Sequence, residues 1–140
     1  MEKEDKSEIV GITSRKLVPY ILLFGFYLIS YGHFSPGGGF QGGVVLGAGI
    51  ILLCLSRGIS LTEISFSRQK ITLLEISMIT TFILLGIVGL VMGKNFLSNV
   101  FLGKVEEVPT AGFIFLLDLV IGLKAGAGII LIFYSLAKMR

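Results

Sequence analysis

Gly32-His33-Phe34-Ser35-Pro36-Gly37-Gly38-Gly39 separates two apolar runs, residues 17–32 and 40–55, and its reading decides how both are folded. One helix through 17–55 is forbidden, because Pro36 lacks an N–H donor and three successive glycines have almost no helical preference. The runs are therefore expected as helices 17–33 and 39–56, a hairpin turning at Pro36. Gly37, Gly38 and Gly39 supply backbone angles that a side chain would obstruct. Two further runs, 71–92 and 111–137, each exceed the roughly 17 residues that a bilayer span needs. The expected fold is an all-α membrane protein of four transmembrane helices: a polar N-terminal segment, 1–16, precedes a single four-helix membrane domain, 17–140.

Composition agrees with this reading. Of 140 residues, 54% are apolar and 15% charged, where an ordinary soluble domain carries about 25% charge. That rules out disorder and disfavours a soluble monomer. Twelve Lys and Arg against nine Asp and Glu give a net charge of +3, but the basic residues form short clusters between apolar runs. They make no continuous face for nucleic acid. The mixed charges of Glu2, Lys3, Glu4, Asp5, Lys6 and Glu8, with no small-residue cleavage site after the first run, do not fit a secretory signal.

Four spans put both termini and the middle loop on one side. That side carries Lys3, Lys6, Arg15, Lys16, Arg57, Arg68, Lys70, Lys138 and Arg140, and the other carries Lys94 and Lys104. The asymmetry predicts that both termini face the cytoplasm. In the loop 93–110, Phe96, Leu97, Val100 and Phe101 have the spacing of a short helix lying on the membrane surface, or of a loop packed on a neighbour.

The glycines divide into stripes. Gly37, Gly39 and Gly42 spell G-x-G-x-x-G, but a dinucleotide fingerprint needs a strand before it and a soluble βαβ unit around it. Here both flanks are membrane runs. Gly39, Gly43 and Gly47 recur every fourth residue, leaving a groove in which another helix backbone can approach closely. Gly122 and Gly126 repeat the spacing in the last run, with Gly128 beyond them.

Four ionisable residues are candidates for an ion path. Lys124 falls at the middle of the fourth run, where a charge costs about 2.5–3.5 kcal/mol on insertion scales. Asp118 precedes it by six residues, roughly 9 Å along the axis and about 120° around it, too far round for an ion pair within the helix. Each therefore needs its own partner: a proton or ion path, or a charge on a neighbouring subunit. Glu75 enters the third run with Arg68 and Lys70 just before it, which suits snorkelling or a local ion pair as well as a relay. Histidine as a residue type, with an intrinsic pKa of roughly 6.5, suits proton exchange, and His33 also has the position of a helix-end anchor. With one His and one Cys, the chain has no Cys/His or Ser/His/Asp set and no cysteine metal site. Cys54, in Leu52-Leu53-Cys54-Leu55, reads as a small buried hydrophobe. No enzyme activity, cofactor or metal is expected.

The run Gly32-His33-Phe34-Ser35-Pro36-Gly37-Gly38-Gly39-Phe40-Gln41-Gly42-Gly43 resembles the G-H-x-[ST]-P-G-G-G-F-x-G-G signature of the MnhB/MrpB family, and every fixed position is present. The stretch 115–124, with Asp118, looks like the last helix of that family. The resemblance covers nearly the whole chain. It implies four helices, no prosthetic group, and a place among several different membrane subunits of an Mrp-type Na⁺/H⁺ antiporter, in the cell membrane of a bacterium or archaeon. Similar subunits occur in energy-converting hydrogenase and sulfur-reductase complexes. Lys124-Ala125-Gly126-Ala127-Gly128 and the short loop before the last helix lean toward that second setting. Two other classes stand beside this one: a purely structural scaffold subunit, and an independent small transporter, which the absence of an internal repeat disfavours.

Overall fold

The computed structural model describes residues 2–32, 37–98 and 111–138. His33 and Pro36, where the hairpin turn is expected, lie outside the described residues. Among the described residues five helices follow in order: α1 (Glu2–Tyr31), α2 (Gly38–Arg57), α3 (Ile59–Ser65), α4 (Arg68–Val91) and α5 (Ala111–Lys138). Four of them contain stretches long and apolar enough to cross a membrane: Ile9–Tyr31, Gly38–Arg57, Arg68–Val91 and Gly112–Lys138. This is the four-span, all-α membrane protein that the apolar runs imply.

The element boundaries differ in three places. First, α1 begins at Glu2 instead of near residue 17. Hydropathy locates the part of a helix that lipid can cover, whereas Glu and Lys are themselves good helix formers, so the helix extends through the polar segment. Pro19 is accommodated inside it. Second, α3 occupies part of the loop between the second and third spans. Gly58, with φ of +89°, ends α2, and the Thr62 hydroxyl donates back to the Gly58 carbonyl at 3.0 Å. Third, the described part of the loop 93–110, residues 93–98, is non-helical and contains turns. Gly93 takes φ of +71°, and the chain folds back so that the Phe96 ring covers Gly86 and the Asn95 carbonyl covers Gly89. Val100 and Phe101 lie outside the described residues.

Packing is built on α2 and α5. Helix α1 runs antiparallel to α2, with Gly25 against Gly42 and Leu46, and Ile21 and Leu22 against Gly49. Helices α2 and α5 run parallel: Gly39, Gly43 and Gly47 meet Asp118, Gly122 and Gly126 in the same order. Helix α4 lies antiparallel on the other side of α5, where Arg68 donates to the Ser135 hydroxyl at 3.0 Å and Glu75 approaches Gly128. Its far face, with Leu73, Leu84 and Val91, is exposed. Arg57, Arg68, Lys70 and Lys138 gather where α2 and α5 finish and α4 starts, the basic end of the bundle. Cys54, Ile71, Ala127, Ile130 and Tyr134 form a buried cluster near that end.

Candidate functional site

Helices α2 and α5 meet backbone to backbone along a glycine seam. A Cβ at Gly39 would fall on the backbone of Asp118, and one at Gly43 on the carbonyl of Gly122. The reverse also holds. A Cβ at Gly122 would stand 2.8 Å from the Gly39 carbonyl oxygen, and one at Gly126 2.9 Å from that of Gly43. Lipid offers no hydrophobic drive for helices to associate, so such close contact between small residues supplies the packing energy. The fit is looser at Gly47, where an added Cβ would stand 3.2 Å from the Gly126 carbonyl oxygen. Gly42 and Gly49 form a second stripe on α2, turned toward α1. Sequence reading does not separate this stripe from the first. Gly39 and Gly42 of the G-x-G-x-x-G spacing thus pack on α5 and α1 respectively.

Asp118 sits at the head of the seam, half-buried. Its Oδ1 accepts the backbone N–H of Gly39 at 3.2 Å, and a Cβ added to Gly32 would stand 2.8 Å from its Oδ2. The first N–H groups of a helix have no partner within it. Gly37, which precedes α2, has no side chain to cap them, and the first turn of α2 holds no acidic residue. Asp118 supplies the acceptor from another helix, with its charge at the end where the helix dipole favours an anion. Gly38 enters α2 with φ of +63°, a conformation open to glycine at little cost.

Lys124 and Glu75 belong to the opposite side of α5. Lys124 is exposed and borders a cavity of about 290 Å³ walled by Phe40 of α2, by Met78, Ile79 and Phe82 of α4, and by Val120 and Ile121 of its own helix. Glu75, half-buried on α4, has its Oε1 3.3 Å from where a Cβ of Gly128 would be. The missing side chain at 128 makes room for the carboxylate. Gly128 is one turn beyond Lys124, so the two charges occupy neighbouring levels of one interface. They are not ion-paired among the described residues. Nor does Glu75 pair locally with Arg68, which reaches Ser135 instead. Asp118 and Lys124 face different neighbours, α2 and α4, and the structure does not bring them together. His33 lies outside the described residues.

A third polar feature is not legible in the sequence. Tyr134 is buried, and its hydroxyl donates to the Phe66 carbonyl at 3.0 Å while accepting the Cys54 thiol at 3.8 Å. The contact ties α2 and α5 to the link between α3 and α4. A tyrosine within an apolar helix needs a partner for its hydroxyl, but nothing in the spacing names Phe66.

Four helices long and apolar enough to span a bilayer, with ionisable groups at two helix interfaces, define a multi-pass membrane protein. Residues 9–131 match the family model described as a domain related to the MnhB subunit of the Na⁺/H⁺ antiporter, and the chain belongs to that family. Among its relatives, a Na⁺/H⁺ antiporter subunit of Bacillus subtilis is 34% identical over 118 residues, covering 76% of this chain and 79% of that protein. An uncharacterised protein of Methanocaldococcus jannaschii is 32% identical over 116 residues, 78% of this chain. The match spans only 44% of that protein's length.

Proposed function

We propose that the chain is a non-catalytic, accessory subunit of a multisubunit Na⁺/H⁺ antiporter. In this reading it packs against other membrane subunits and borders part of a proton or sodium path. The observation that carries the path is the α4–α5 interface, where Glu75 and Lys124 stand at adjacent levels, neither of them ion-paired among the described residues. Ionisable groups are retained inside a membrane at a cost, and transport pathways are their commonest setting. His33, at the expected hairpin turn, remains a candidate for the path. Asp118 has a packing role in addition to any role in ion movement, since it holds the start of α2.

The antiporter setting is supported by the family and by the name of the Bacillus subtilis relative. The hydrogenase or sulfur-reductase setting rests on the run from Lys124 to Gly128 and the short loop before α5, and redox subunits co-purifying with the chain would establish it. The test of function is sodium-dependent proton movement in everted membrane vesicles. Deleting the chain should abolish exchange, and restoring it should recover exchange. Glu75→Gln should leave the complex assembled and reduce exchange at least about tenfold, a barrier change near 1.4 kcal/mol. Full exchange without the chain would refute the assignment. Full exchange with Glu75→Gln would remove the path and leave a scaffold.

A further inference from the structure

We propose that the groove between α4 and α5 seats a transmembrane helix of a neighbouring subunit, and that a carboxylate on that helix pairs with Lys124. The inference rests on the reading of the chain as one subunit among several. Lys124 lies at the middle of the span Gly112–Lys138. Its ammonium has no hydrogen bond or ion pair among the described residues, and the chain's nearby carboxylates are placed elsewhere. Asp118 is turned to α2 and accepts from Gly39, while Glu75 sits one turn away against Gly128.

Lipid cannot satisfy the charge. The hydrocarbon layer extends about 15 Å on either side of its centre, farther than a four-carbon stem can carry the amine toward the headgroups. The cavity walls do not satisfy it either, since Phe40, Met78, Ile79, Phe82, Val120 and Ile121 offer no side-chain acceptor for an ammonium beyond the weak sulfur of Met78. Phe40 and Ile79 are themselves exposed, at 61% and 39%, so the groove is open at its side. An acceptor at this depth must arrive on a segment whose own backbone is fully hydrogen-bonded, and in a bundle of helices that segment is a helix. Charge complementarity makes the acceptor an aspartate or glutamate.

The test uses the complex purified from its native membrane. Dicyclohexylcarbodiimide reaches carboxyl groups within the bilayer. An adjacent amine then displaces dicyclohexylurea from the activated carboxyl and forms an amide. Mass spectrometry should find Lys124 joined to an Asp or Glu of another subunit, whereas a link to Glu75 would overturn the proposal. Assembly is scored in parallel. Lys124→Arg should retain the neighbouring subunits, and Lys124→Gln should lower their recovery at least about tenfold, equivalent to about 1.4 kcal/mol of association. The Lys124→Gln chain should still be found in the membrane, because removing a mid-span charge favours insertion. Full recovery with Lys124→Gln, or equal loss with Gln and Arg, would overturn the pairing whether or not a link is captured. Sodium-dependent proton exchange by the unaltered complex is measured on the same preparations. Failure of the pairing with exchange intact leaves the proposed function standing, and absent exchange counts against that function alone.

Discussion

Asp118 shows how one carboxylate inside a membrane serves a fold before it serves any chemistry. Its Oδ1 accepts from Gly39 at 3.2 Å, and where water is absent an unpaired N–H would cost several kcal/mol. Asparagine keeps a carbonyl oxygen in the same place but no charge, while leucine keeps neither. Asp118→Asn should therefore preserve assembly and thermal stability to within about 1 kcal/mol, and Asp118→Leu should lower stability by about 1–3 kcal/mol, the usual cost of stranding a buried donor. Unfolding of the purified complex, followed by loss of co-purifying subunits on heating, measures both. If Asp118→Asn stays assembled yet stops exchange, the carboxylate also handles ions; if exchange continues, capping is its whole role. The sequence shows that Asp118 and Lys124 cannot pair with each other, since their spacing around the helix is a matter of geometry. It cannot show that the partner of Asp118 is a backbone amide 79 residues earlier, because backbone donors carry no residue-specific signal.

At the scale of the helix, glycine spacing is informative about faces and silent about partners. Gly39, Gly43 and Gly47 share one face by the period of the helix alone. That this face meets α5 in parallel register, from Asp118 to Gly126, depends on tertiary packing. Gly42 and Gly49 fall seven residues apart among other glycines, which hides their separate role against α1. A direct consequence concerns bulk. A side chain at Gly43 meets the Gly122 carbonyl, which belongs to a rigid helix and cannot move aside as a flexible side chain could. Gly43→Leu should destabilise the chain by about 3 kcal/mol or more, the upper range for overpacking. Ala48→Leu, on an exposed position of the same helix, should have little effect. Protease sensitivity of the two variants in membranes distinguishes them, and equal resistance would disprove the seam. The start of α1 escapes sequence reading for a related reason: hydropathy records where lipid lies, and the helix continues beyond it.

Across the whole molecule, the parallel pair α2 and α5 has antiparallel flanks α1 and α4, which brings Arg57, Arg68, Lys70 and Lys138 to one end. Lys94 follows the opposite end of α4 and is exposed. Short basic loops are retained on the cytoplasmic side during insertion, and the rule counts Lys and Arg and not net charge. The basic end should therefore face the cytoplasm and Lys94 the exterior. Cys54 is buried at 2% exposure and is the only cysteine, so Cys54→Ala gives a background for labelling. In that background, Lys94→Cys should react with a membrane-impermeant maleimide on intact cells. Ser65→Cys, exposed at the end of α3, should react only after the membrane is opened. Both substitutions preserve the basic residues of the middle loop, and losing Lys94 can only increase the asymmetry, so neither should change the orientation. The reverse labelling pattern would invert the molecule while keeping its four spans. Labelling of both sites from outside would mean that α4 does not cross the membrane, and the α4–α5 interface at Lys124 could not then form within the bilayer.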